Sequence, residues 1–166
     1  MRHGNLIAVA ALCSVLALAA CGGSSGPSKS QFVAKSDAIC KATQAQTTPL
    51  IHQITAGGAA LVAGGAGAAR QIAPTVQRLH TVAASGLAKL KALAQPSGDH
   101  AAIQKFLTPL ASVIDAIGKA ASALSQGQGP QALGLLQQAQ PLAGAVMSAA
   151  KDYGLPQCES VLSALG

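Results

Sequence analysis

Four cysteines (Cys13, Cys21, Cys40, Cys158), four histidines (His3, His52, His80, His100) and five acids (Asp37, Asp99, Asp115, Asp152, Glu159) are the residues whose chemistry could go beyond packing. The thiols could be modified or paired, and four of them allow three complete disulfide pairings. The histidines do not read as a metal site. No two stand at i, i+4 and no H-x-x-E-H pattern occurs. Placed on helices at 1.5 Å per residue, His52, His80 and His100 fall roughly 15–20 Å apart, far beyond a shared ion with ~2 Å bonds. They are expected to face solvent. Among the acids, Asp99 suits a helix cap or first turn. Asp37 and Asp152 fall near one end of the fold, beside Lys35, Lys41 and Lys151. Asp115 follows Ile114 at the edge of an apolar stripe, a position that offers partial burial beside a cationic partner. Asp37, Asp115 and Asp152 are therefore the candidate polar site, with exposed ion pairs the plainer expectation. The letters of a nucleophile elbow, Gly22-x-Ser24-x-Gly26, lack the preceding strand and following helix that an elbow requires. No P-loop, dinucleotide fingerprint or C-x-x-C occurs, and Glu159 is the single glutamate. Catalysis needs a titratable group tuned by its surroundings. The expectation is a non-enzymatic protein with no cofactor and no metal.

The amino-terminus decides which cysteines remain. Arg2 lies in a short polar start, and Leu6 to Ala20 is a run of apolar and small residues broken by Ser14. At fifteen residues the run is short of the ~20 that span a bilayer, and it reads as a secretory leader over residues 1–20. It ends in Leu18-Ala19-Ala20-Cys21, which resembles the lipobox of bacterial lipoproteins. That resemblance implies cleavage before Cys21 and a diacylglycerol on its sulfur. Residues 21–28 then form a lipidated start and a Gly/Ser-rich tether. With Cys13 removed and Cys21 acylated, Cys40 and Cys158 are left to pair outside the cytoplasm.

Composition bounds what these residues are mounted on. Removing twenty of 166 residues leaves 146, enough for one domain over residues 29–166. Hydrophobic residues are 50%, much of it alanine, with Phe32, Phe106 and Tyr153 the only aromatics, which suits packed helices better than sheets. Without Arg2, ten cations face five acids, a formal charge of +5. Such an excess favours anionic headgroups or wall polymers through its long-range field. The cations form no dense run and have no aromatic platform, so no nucleic-acid partner is expected.

The periodicity calls for an antiparallel up-down four-helix bundle. Ser28-Lys29-Ser30-Gln31 has capping-box form and starts a first helix whose apolar face holds Phe32, Ile39, Leu50 and Ile54. The glycine-rich stretch from Gly57 to Ala68 is read as the weakest helical stretch and the first turn, partly helical at Ala59 to Ala63. Ile72, Val76, Leu79, Ala83, Gly86, Leu90 and Leu93 mark a second seam, with Pro74 near the start of its helix. Ile103, Leu107, Leu110, Ile114, Ile117, Ala121 and Leu124 mark a third. Leu133, Leu136, Ala143, Met147 and Ala150 are assigned to the fourth, which Gly154 and Pro156 end. A short helix is expected over residues 159–165. Cys40 then stands roughly 15 Å up the first helix, reachable by Cys158 if the tail folds back.

Several segments together resemble a group of small exported proteins and lipoproteins of actinobacteria, including mycobacteria. They are Phe32-Val33-Ala34-Lys35-Ser36-Asp37-Ala38-Ile39-Cys40, Leu90 to Asp99 ending Pro96-Ser97-Gly98-Asp99, Phe106-Leu107-x-x-Leu110, and Tyr153-Gly154-Leu155-Pro156-Gln157-Cys158. The likeness covers about residues 30 to 158. It implies a helical bundle whose first-helix cysteine pairs with one just after the last helix, and an exported location; it implies no activity. Two functions of different classes follow as expectations. One is a non-catalytic protein lipid-anchored on the extracytoplasmic face of the cell membrane, contacting an envelope protein or anionic polymer. The other is a binding module for an apolar or amphipathic lipid-like ligand between helices bent at Pro49, Pro109 and Pro141.

Overall fold

A computed structural model describes residues 26–63 and 65–163. The leader, Cys21 and the tether up to Ser25 lie outside the described residues. The described chain is all-α: α1 (Lys29–Ala63), α2 (Gly65–Lys91), α3 (His100–Ser125), α4 (Gly129–Tyr153) and the short α5 (Pro156–Ser163). α1 starts at the capping box. Ser28 Oγ accepts the Gln31 N–H at 3.3 Å, and Gln31 Oε1 accepts the Ser28 N–H at 3.0 Å.

Ala59 to Ala63 is helical as expected, and helix extends further into the glycine-rich stretch than expected, because α2 already begins at Gly65. Alanine, the strongest helix former, alternates with the glycines there, and tertiary packing supports the rest. Gly57 lies so close to α2 that a Cβ on it would stand 2.9 Å from Ile72 Cδ1. Pro74 is consequently internal to α2, nine residues past its start. It lies exposed, where the bend and lost hydrogen bond face water.

A second close approach fixes the direction of the pair. A Cβ on Gly86 would stand 2.6 Å from Thr43 Oγ1. The two contacts are fourteen residues apart on each helix, rising along α1 and falling along α2. That is two heptads, roughly 21 Å, in an antiparallel register. Gly86→Ala gains about 1 kcal/mol of helix propensity but overpacks Thr43, at a cost of about 1–3 kcal/mol. A net loss near 1 kcal/mol is expected by urea denaturation. In a Thr43→Ala background the same change should become neutral or stabilising, and a loss that persists there would contradict the contact.

The second and third seams lie where the periodicity puts them. Ile72, Val76, Leu79, Gly86 and Leu90 are buried on α2, and Ile103, Leu107, Ile114, Ile117, Ala121 and Leu124 on α3. Helix four differs. Its buried residues are Gly129, Ala132, Ala139, Val146, Ala150 and Tyr153, while Leu133 is 39% exposed. Ala150 is buried as expected, but before it the true stripe is rotated by about one residue from the expected one. Alanine on the contact line lets α3 and α4 approach closely, and Leu136, Ala143 and Met147 flank that line half-buried.

α4 ends as expected. Gly154 takes a left-handed backbone (φ 87°), and its N–H and that of Leu155 return to the Ala150 carbonyl at 3.0 and 2.8 Å. Pro156 then opens α5, three residues before the expected start of the terminal helix. Each long helix packs chiefly on its sequence neighbours. α1 and α4 touch only marginally, and α5 lies against both as a wedge. The Cys40–Cys158 disulfide, with Cα atoms 5.0 Å apart, fastens that wedge to α1.

Candidate functional site

The chemistry-bearing side chains collect at the end of the bundle where residue 26 enters. α1 and α3 begin at this end, α4 finishes there, and α5 turns back from it. Asp37 and Cys40, one turn apart on α1, both hold α5: the disulfide covalently, and Asp37 Oδ1 by accepting the Gln157 N–H at 3.1 Å. Asp37 thus satisfies a donor in the first turn of a neighbouring helix, where a negative charge is favoured. Ser36 is fully buried on the same face, its carbonyl oxygen 3.8 Å from Cys158 Sγ. A disulfide sulfur carries no proton, so this is a packing contact and needs the small residue.

Asp99 occupies the N-cap position of α3, yet its side chain makes no capping bond. Its Oδ2 accepts a 2.7 Å hydrogen bond from the Tyr153 hydroxyl at the end of α4. The carboxylate was expected to serve its own helix; a buried phenol 54 residues away takes it instead. The Tyr153 ring meets Phe32 edge to face at 5.9 Å, and Lys29 Nζ lies 4.5 Å from its centroid. This cluster ties α1, α3 and α4 together, and it went unread in the sequence. The signal available was a lone tyrosine at a helix end, which has no periodicity to betray its partner.

Burial, then the hydrogen bond to Asp99, then the Asp99 charge push the Tyr153 phenol above its ordinary value of 10.0. The folded state therefore holds this proton more tightly than the unfolded state. Stability is fully present below pH 10 and falls as pH rises above it, towards the folded value. Alkaline titration of melting temperature should show this fall in the wild type and a smaller one in Tyr153→Phe. Equal slopes would remove Tyr153 from the account.

Beside this cluster an open cleft of about 550 Å³ runs between α3 and α4. Lys29, Lys105, Asp99 and Asp152 give it two ammonium and two carboxylate groups, and Ala102, Ala145, Ser148 and Ala149 give it a small-residue floor. The only ion pair among the described residues is elsewhere, Lys119–Asp115 at 2.7 Å, so Lys29, Lys105 and Asp152 have no ionic partner among them. A second cavity, between α1, α2 and α3, is apolar and about 60 Å³. The Thr43 and Thr47 hydroxyls beside it bond back to the carbonyls of Ile39 and Gln44. It is less than half the ~150 Å³ apolar cavity that holds benzene, so an acyl chain would require the helices to part.

The expected polar trio is not brought together. Asp115 is exposed in its i, i+4 pair with Lys119, fifteen residues into α3 and so roughly 22 Å along it. Asp37 is engaged with α5, and Asp152 lines the cleft with Asp99. Among the described residues no three His, Cys, Asp or Glu side chains are placed to share a metal ion. His52 and His100 are exposed, but His80 is half-buried against α3: a Cβ on Gly118 would stand 2.9 Å from its Nε2. Comparison with protein-family models, curated proteins and solved structures finds no match.

Proposed function

We propose that the protein is a non-catalytic lipoprotein of the cell envelope, held on the extracytoplasmic face of the membrane through acylated Cys21. Its helical domain acts by contacting an envelope protein or an anionic polymer. The observation that carries this reading is the convergence at one end of the fold. Residue 26, the continuation of the tether, enters there against the Gln95–Ser97 loop, three residues before Lys29 at the rim of the cleft. Lys29, Lys35, Lys89, Lys91, Lys105 and Lys151 all lie within a few turns of that end, by their places on α1 to α4, and outnumber Asp37, Asp99, Asp152 and Glu159 there. A basic face turned towards an anionic surface gains from its long-range field.

Intact mass of the protein from its native membrane tests the anchor. The expected mass begins at Cys21 and carries acyl chains; a mature chain beginning elsewhere, or Cys21 without acyl mass, overturns it. Crosslinking on intact envelopes tests the contact. Recovery of one reproducible neighbour is expected, and a random set of abundant proteins would count against it.

A further inference from the structure

We infer that the cleft between α3 and α4 binds a zwitterionic group that pairs a phosphate with an ammonium, as a phosphoethanolamine headgroup does. Four observations lead there. The cleft's volume, about 550 Å³, lies within the range of small-ligand sites. Its floor is built of small side chains from two helices that pack closely on each other, which leaves room between the charged side chains at its rim. Its charges form no ion pair with one another: Lys105 and Asp152 line the concavity without an ionic partner among the described residues, and Lys29 lies over the Tyr153 ring at the same rim. Asp99 is fixed in place by the Tyr153 hydroxyl on one oxygen, which leaves the other for a ligand.

The balance of charge selects the ligand class. Two ammonium and two carboxylate groups make the cleft formally neutral. A free phosphate would meet two lysines but also two uncompensated carboxylates. An amine alone would meet the reverse. A molecule carrying both charges a few ångströms apart satisfies both sets, with the phosphate on the lysines and the ammonium on Asp152 and Asp99. The alanine floor accommodates the methylenes between them.

The source of such a group is argued from position, and this part rests on the anchoring proposed above. The cleft lies at the end where residue 26 enters, and the five residues from Cys21 span at most roughly 18 Å. With Cys21 acylated, headgroups of the surrounding bilayer are the most concentrated phosphate-amine compounds within reach. A soluble compound of the same chemistry is the other source.

The test uses the purified full chain in mild detergent, observed by amide ¹H–¹⁵N NMR. Glycerophosphoethanolamine is titrated first, then glycerophosphoglycerol, ethanolamine and inorganic phosphate separately. Saturable shifts are expected around residues 102–105 and 145–152 with glycerophosphoethanolamine, with affinity at least tenfold weaker for the other three. Lys105→Gln and Asp152→Asn, both at exposed positions, should each weaken the binding at least fivefold while leaving the melting temperature unchanged. Absence of saturation, equal response to inorganic phosphate, or indifference to both variants overturns the site. Co-sedimentation with phosphatidylglycerol vesicles, with and without phosphatidylethanolamine, distinguishes the sources. Retention that rises with phosphatidylethanolamine and is lost in Asp152→Asn supports the lipid. Binding of the soluble headgroup without such retention overturns the lipid source and keeps the site. The NMR titration needs no membrane, so a Cys21 found unacylated would end the anchoring proposal without altering the answer for the cleft.

Discussion

Replacing Cys40 and Cys158 together by alanine is expected to lower the unfolding free energy by about 2–5 kcal/mol. The bond joins residues 118 apart, almost the full length of the helical domain. In the chain-entropy treatment a loop of that length corresponds to about 5 kcal/mol, the upper end of the range. The structural consequence should be local first. α5 is only eight residues, and besides the disulfide the buried Leu155, the Asp37–Gln157 hydrogen bond and a long Ser160–Gln44 hydrogen bond of 3.5 Å help to hold it. Without the bond it should leave its place between α1 and α4 more often than the long helices unfold. Hydrogen exchange is therefore expected to rise across residues 156–160 before it rises in α3, with a fall in melting temperature of roughly 10 °C or more. Both sulfurs are buried, Cys40 at 6% and Cys158 at 1% exposure. A mild reductant should accordingly act slowly on the folded protein and quickly once denaturant is present. An unchanged urea midpoint in the double variant would show that the wedge is held by packing alone.

Ile103→Ala should cost about 2–5 kcal/mol, whereas Leu133→Ala should stay within about 0.5 kcal/mol. The two changes remove comparable aliphatic bulk. Ile103, at 1% exposure, is among the largest fully buried side chains of the fold, and its loss leaves a cavity that the surrounding helices can only partly close. Leu133, at 39%, already has much of its surface in water. The comparison also decides the orientation of α4, because the sequence pattern alone assigns Leu133 to the core. Equal losses in the two variants would restore that assignment and contradict the rotated stripe.

Helix four shows where sequence periodicity runs out. On α2 and α3 the apolar residues stand out from charged and polar neighbours, so a single face is specified. On α4, alanine, leucine and glycine surround the axis, and several faces are apolar enough to serve. Which one is buried depends on how near α3 can come, and the smallest residues win that contest. The site was harder still to read. Asp99 and Tyr153 are 54 residues apart, and Asp37 and Gln157 are 120 apart. Each acid, taken with its own neighbours, reads as a surface charge or a local cap.

What the sequence determined by itself is the local part. The capping box at Ser28, the left-handed stop at Gly154, the seams of α2 and α3 and the all-helical class all follow from residue type and short-range spacing, because helical hydrogen bonds reach only four residues. The pairing of Cys40 with Cys158 was also expected, from the export and acylation that the lipobox resemblance implies and from a reach along one helix, and the bond is present. Tertiary structure alone decided that helix begins again as early as Gly65 in the glycine-rich stretch, that α5 stands between α1 and α4, and that two lysines and two carboxylates share one cleft. Those outcomes depend on distances between helices, which shape complementarity sets only once all the helices have docked.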